Sequence, residues 1–258
     1  MSRFKLTIEY DGTRYSGWQM QKGAKSVQGE LIDASRGLFE GRPVDVFGAG
    51  RTDSGVHATG QVAHLEADTD LLPLRIKYGL NDRLPADISV LNVEEAAKNF
   101  NARYDAVARS YVYHISRRRT AFGKKYVWWI KDQLSAEKMN DAAVLLTGLK
   151  DFRNFTDPEQ EQGSTKTEIM HASVKSYGDI ILIHFIGSHF LWKQVRRMTG
   201  VLVEVGRGKM TEKDVSSFFR GVTDIPAKLT APPSGLFLEK VYYNKEDIIF
   251  SSKPVINL

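Results

Sequence analysis

The chain has 258 residues, 42% of them apolar and 26% charged, with a formal net charge of +5 and a pI near 9.2. It contains no cysteine, which excludes disulfides, thiolate zinc sites and thiol nucleophiles. No apolar stretch approaches the roughly eighteen residues of a spanning helix, and Met1-Ser2-Arg3-Phe4-Lys5 runs straight into an alternating pattern rather than a signal peptide, so a soluble protein of the reducing cytosol, with no membrane partner, is expected.

In chain order, Phe4, Leu6, Ile8 and Tyr10 alternate with polar residues, a half-buried strand ended by Asp11-Gly12. A loop rich in glycine and aromatics follows, Tyr15-Ser16-Gly17-Trp18-Gln19. Ser26 caps a helix whose Val27, Leu31, Ala34 and Leu38 share a face, and Gly41-Arg42-Pro43 stops it. Val44 to Phe47 form a short strand, Val62 to Leu65 another, Leu74 to Asn81 a helix, and Ile88 to Val93 an extended segment.

The second half repeats this grammar. Tyr111, Tyr113 and Ile115 alternate as a strand, and Ser135 caps a helix with Met139, Ala142, Ala143 and Leu146 on one face. Ile169 to Tyr177 and Ile180 to Ile186 form paired strands around Gly178-Asp179. Leu191, Val195, Met198, Leu202 and Val205 mark a longer helix, Thr211 begins another, and Leu236 to Tyr243 form a last strand. No Pro-, Gly- or Ser-rich linker separates the halves. The expectation is an α+β fold of two related lobes, residues 1–105 and 106–258, each a mixed or antiparallel sheet with helices on one face, and a cleft between them.

Between two of these strands lies Gly48-Ala49-Gly50-Arg51-Thr52-Asp53-Ser54-Gly55-Val56-His57. It opens like a phosphate-binding loop, yet Asp53 stands where a dinucleotide fingerprint needs its third glycine, and Gly55-Val56-His57 fails the P-loop pattern. Thr52 likewise spoils a nucleophile elbow. His57 and His64 lack further ligands at metal spacing, so no metal is expected. An aspartate in a glycine-permitted turn is either an Asx-turn that satisfies its own loop or a reactive carboxylate balanced by Arg51 or another cation. There are two basic clusters: Arg117-Arg118-Arg119 with Lys124-Lys125, which flank Phe122 and precede Tyr126, Trp128 and Trp129, and Lys193 with Arg196, Arg197, Arg207 and Lys209. That composition suits a polyanion that also offers bases to stack on, although a solvated charged face would look the same.

The motif from Gly48 to His57 resembles the signature of the tRNA pseudouridine synthases that modify the anticodon stem-loop. The similarity spans nearly the whole chain, through Glu9-Tyr10-Asp11-Gly12, Gly17-Trp18-Gln19, Gly60-Gln61-Val62, Leu84-Pro85, Asp87-Ile88, Ala108-Arg109-Ser110-Tyr111-Val112-Tyr113 and Val195-Arg196-Arg197-Met198. The resemblance implies isomerisation of uridine to pseudouridine, at tRNA positions thirty-eight to forty, without cofactor or metal. It also implies a symmetric homodimer with tRNA as partner.

By position the resemblance makes Asp53 the catalytic carboxylate and Arg51 the group that displaces the target nucleotide. Tyr111 becomes the active-site tyrosine that stacks on the uracil, and Arg196 the basic residue that pairs with the aspartate and keeps it ionised. Arg14, Lys22, Arg117, Arg118 and Lys193 are expected on RNA phosphates. Lys166 stands where the family often has arginine, and Trp192-Lys193-Gln194 replaces a histidine-rich stretch. Both departures bear on substrate choice. A rival reading is a non-enzymatic RNA-binding protein or chaperone of the same fold.

Overall fold

The computed structural model describes residues 1–157, 159, 161 and 163–256. The chain divides into two compact units, residues 1–107 with 237–246, and residues 108–236 with the C-terminal segment from 247. No helix among the described residues is long and apolar enough to cross a membrane.

In the first unit, β1 (Ser2–Tyr10) alternates as its sequence predicts, with Phe4, Leu6, Ile8 and Tyr10 buried. It is followed by α1 (Val27–Leu38), β2 (Val44–Gly48), β3 (His57–Ala67), α2 (Pro73–Asn81) and β4 (Ile88–Glu95). β1 pairs antiparallel with both β3 and β4, setting Phe4 opposite Leu65 on one side and Glu95 on the other. β2 joins the opposite edge of β3, with Val44 across from Ala67 and Gly48 across from Ala63. β3 is longer than the apolar run Val62 to Leu65 announced, because paired strands on both edges satisfy its polar N-terminal half. α1 and α2 pack against each other and against β2 and β4.

The second unit contains β5 (Ala108–Ser116), β6 (Trp128–Trp129), α3 (Ala136–Val144), β7 (Gly148–Asp151), β8 (Lys166–Tyr177), β9 (Ile180–Gly187), α4 (Gln194–Gly206), α5 (Glu212–Ser217) and α6 (Ile225–Lys228). β5, β9, β8 and β7 are neighbours in that order, all antiparallel, and β6 adds a short parallel pairing to β5. α3 packs on β8 and against α4. β5 departs from the half-buried pattern, since all nine of its residues are buried. Its polar face is covered rather than solvated: Ser110 Oγ lies 2.8 Å from His184 Nε2, and His114 Nε2 accepts from the Val255 amide in the C-terminal segment. The last strand, β10 (Leu236–Tyr242), runs parallel to β3 with Phe237 opposite His57, and from Phe237 on it belongs to the first unit.

Candidate active site

The Asp53 loop spans the eight residues between the end of β2 and the start of β3. Its hydrogen bonds come from three directions. On the sheet side, Ala49 N–H donates to the Val62 carbonyl at 2.7 Å, and the fully buried Gln61 side chain donates to the Gly50 carbonyl at 2.9 Å. From β1, the Tyr10 hydroxyl lies 2.8 Å from the buried Thr52 hydroxyl. From the loop after β1, the Trp18 amide donates to the Thr52 carbonyl, while Ser54 Oγ and the Gly55 amide both donate to the Tyr15 carbonyl. Gly17, at φ +104°, permits this approach; a Cβ there would lie 2.4 Å from the Thr52 carbonyl oxygen. The Asp53 backbone carbonyl accepts from the Val56 amide at 3.1 Å, closing a turn, and the side chain is half-buried.

Tyr15 is itself held. Its hydroxyl donates to Asp87 Oδ1 at 2.6 Å, and Arg14 donates to Asp87 Oδ2 through two nitrogens at 2.9 and 2.6 Å. Burial opposes ionisation of Asp87, but the hydrogen bonds from Tyr15 and Arg14 outweigh it and lower its pKa. The Tyr15 phenol moves the other way, raised by burial and by the same carboxylate. Arg14 is exposed, so the guanidinium expected on phosphate also serves this carboxylate.

Arg51 is exposed, and its Nε donates to Gln19 Oε1 at 3.2 Å. The ion pair between Arg51 and Asp53 that the sequence left open does not form among the described residues. Gln19 in turn donates to Gln28 Oε1 at 2.8 Å, which also accepts from the Met20 amide, and Gln28 Nε2 donates to the Val46 carbonyl. Gln28 lies in the first turn of α1, capped by Ser26 through the Gly29 amide. The first two helical amides, Val27 and Gln28, donate to the carbonyls of Gly17 and Trp18. These are donors that a helix start leaves unsatisfied, so helix and loop are locked together. Lys22 is exposed in the turn bridged by Gln21 and Ala24.

His57 and His64 are buried acceptors: Nδ1 of each takes a backbone amide, from Gly12 and Ala102 respectively. Burial first, and then the Arg3 charge, lower the His64 pKa. Among the described residues no group of three or more His, Asp or Glu could hold a metal ion.

In the second unit Tyr111 lies on β5, buried, with its ring meeting that of Phe190 at 5.1 Å and 79°. Arg196 stands in the first turn of α4, half-buried, with Nε donating to the Ala231 carbonyl at 2.8 Å while the Ala231 amide returns a bond to the Arg196 carbonyl. Gly200, one turn on, allows this segment to cross the helix; a Cβ there would lie 1.6 Å from the Leu229 carbonyl oxygen. Tyr113, fully buried, donates to the Pro232 carbonyl, and burial raises its pKa against a smaller opposing effect of the Arg196 charge.

Lys193 caps α4 in a left-handed conformation, with Nζ 3.8 Å from the Trp192 ring centroid. Arg117 and Arg118 are exposed beyond β5; Arg117 donates to Ser176 and Arg118 pairs with Asp179. The second basic cluster is smaller than its sequence suggests, because Arg197 is buried and Arg207 is tied to Glu204 and Asp132. Lys166 begins β8 opposite Asp151; in the segment leading to it, residues 160 and 162 lie outside the described residues.

The model of the family described as tRNA pseudouridine synthase matches residues 6–105 and 142–244. The chain is 40% identical over 248 residues to a protein of Bartonella tribocorum named tRNA pseudouridine synthase A, covering 94% of this chain and all of that one. It is 41% identical over 246 residues to the protein of that name from Rhodopseudomonas palustris, covering 94% and 100%. A third of the same name, from Geobacillus kaustophilus, is 38% identical over 251 residues, covering 96% and 97%.

Proposed function

From its membership of the tRNA pseudouridine synthase family, to which this chain belongs, we propose that it isomerises uridine to pseudouridine in tRNA, with Asp53 as the catalytic carboxylate. The reaction breaks the bond from N1 to the ribose, turns the uracil and rejoins it through C5. The C5 hydrogen leaves as a proton and N1 gains one, so the product is an isomer of the substrate. A carboxylate suits this chemistry because it can add covalently to an electron-poor partner or stabilise it.

The observation that carries the reading is how the Asp53 loop is held. Bonds from Gln61 and Trp18, bonds to Tyr15, and the contact between the Tyr10 and Thr52 hydroxyls fix the loop on both sides of a half-buried carboxylate. A group placed before substrate arrives needs little reorganisation in the transition state.

The remaining roles belong to the same proposal. A stacked uridine hides both the bond to be broken and the carbon that replaces it, so the base must leave the helix; Arg51, exposed on the same loop, takes its place. Tyr111 stacks on the extruded uracil and handles a proton, and Arg196 pairs with Asp53. Arg14, Lys22, Arg117, Arg118 and Lys193 hold phosphates of the anticodon arm. The protein works as a cytoplasmic homodimer spanned by one tRNA, without a cofactor.

The test is release of tritium from tRNA transcribed with uridine labelled at C5. Wild type is expected to release it, and Asp53→Asn to lose on the order of 10³-fold or more with tRNA binding retained. Binding by the wild type without release would overturn the enzymatic reading.

A further inference from the structure

The bond from Arg51 to Gln19 is the end of a chain whose polarity is set in the backbone. A glutamine amide has a donor end and an acceptor end, and its orientation follows from its neighbours. Gln28 has no choice. The Met20 amide can only donate, and it meets Gln28 Oε1 at 2.8 Å. The Val46 carbonyl can only accept, and it meets Gln28 Nε2 at 2.8 Å. With Gln28 Oε1 facing Gln19, the Gln19 amide must turn its NH2 inward, at 2.8 Å, and its oxygen outward. That oxygen meets Arg51 Nε. A flipped Gln19 would set oxygen against oxygen at one end and N–H against N–H at the other.

We infer that Gln19, oriented by Gln28, is a positioning residue for nucleotide displacement: it presents an acceptor to Arg51 Nε and so sets the direction of the guanidinium that enters the RNA stack. The inference rests on the proposed role of Arg51. The design suits an exposed arginine on a loop. Its backbone neighbour Gly50 is pinned by the buried Gln61, while the exposed side chain is held at Nε by the neutral Gln19 oxygen, and an unguided guanidinium would sample many rotamers before each displacement. A neutral acceptor restrains Nε while leaving the full positive charge for the RNA.

The experiment compares single-turnover tritium release by wild type, Gln19→Met, Gln19→Glu and Arg51→Ala on two labelled tRNA transcripts. In one the target uridines are paired in the anticodon stem; in the other they face mismatched bases. Extrusion costs least for a mismatched base. On the paired transcript Gln19→Met is expected to lose about ten- to a hundredfold, the scale of a misplaced group. It should recover most of that loss on the mismatched one, and Arg51→Ala should do the same. The double variant Gln19→Met/Arg51→Ala should be no worse than Arg51→Ala alone, because the two act as one unit.

Gln19→Glu is expected to be impaired as well, since one carboxylate oxygen must then face Gln28 Oε1. A gain in rate with glutamate would overturn the polarity argument. Equal losses by Gln19→Met on both transcripts, or no loss at all, would overturn the positioning role while wild-type release left the enzymatic reading intact. Absence of wild-type release on both transcripts would defeat that reading itself. Unchanged thermal midpoints for the Gln19 variants separate these outcomes from misfolding.

Discussion

Asp87 carries a share of the loop's order through a side chain that never meets the loop. Its carboxylate holds the Tyr15 hydroxyl, and the Tyr15 carbonyl holds Ser54 and Gly55. Its pKa is lowered on folding, with the Tyr15 and Arg14 hydrogen bonds outweighing burial. Where pH lies between the folded and unfolded values, the unfolded chain binds more protons, so stability rises with pH. The contribution is therefore complete above the ordinary carboxylate range, near about 3.9, and is lost as pH falls through the folded value. Asp87→Asn is expected to lower the urea midpoint at neutral pH, with the gap to wild type closing on acidification; a gap independent of pH would contradict this. Asp87 stands in a run the sequence marks, Leu84-Pro85 to Asp87-Ile88, but its partner Tyr15 is 72 positions away. No local pattern reports such a pairing. Gln19 and Gln61 stand in motifs the sequence marks and Gln28 does not, but the roles of all three were hidden for the same reason, since a glutamine shows its role only through the groups around it.

At the scale of elements, the start of α1 organises the site. Ser26 was legible as its cap, because a short hydroxyl before an apolar period is a local signal. What the helix start holds was not legible: its first amides bind the carbonyls of Gly17 and Trp18, and the Trp18 amide in turn binds the Thr52 carbonyl of the Asp53 loop. Gly17→Ala would force a side chain into positive φ and against the Thr52 carbonyl. The expected cost is on the order of 3 kcal/mol, read as a lowered denaturant midpoint, with activity falling further than stability because the clash lies beside Asp53. β5 shows the opposite limit of local reading. Its alternation reads as half-buried, yet its polar face is closed by β9 side chains and the C-terminal segment.

For the whole molecule, the net charge of +5 is a modest basis for holding a polyanion, and several basic groups are already neutralised. Arg207 is held by Glu204 and Asp132, and Arg118 by Asp179. Affinity for tRNA is expected to fall with salt, and removing Lys22, Arg117 or Lys193 should make the log–log slope shallower by roughly one per lost phosphate contact. Binding titrations from low to physiological salt measure this, and an unchanged slope would remove that residue from the interface.

Sequence alone determined the α+β class, most strand and helix positions, the cap of α1 and the family, because periodicity, capping and contiguous motifs are local in the chain. It brought Arg51 and Asp53 into one loop for the same reason. Only tertiary structure decided that Arg51 meets Gln19 rather than Asp53, that Asp87 braces Tyr15, and that β10 runs beside β3 in the first unit. Each of those depends on which distant groups satisfy a donor or acceptor, and hydrogen-bond pairing across tens of residues leaves no periodic trace in the chain.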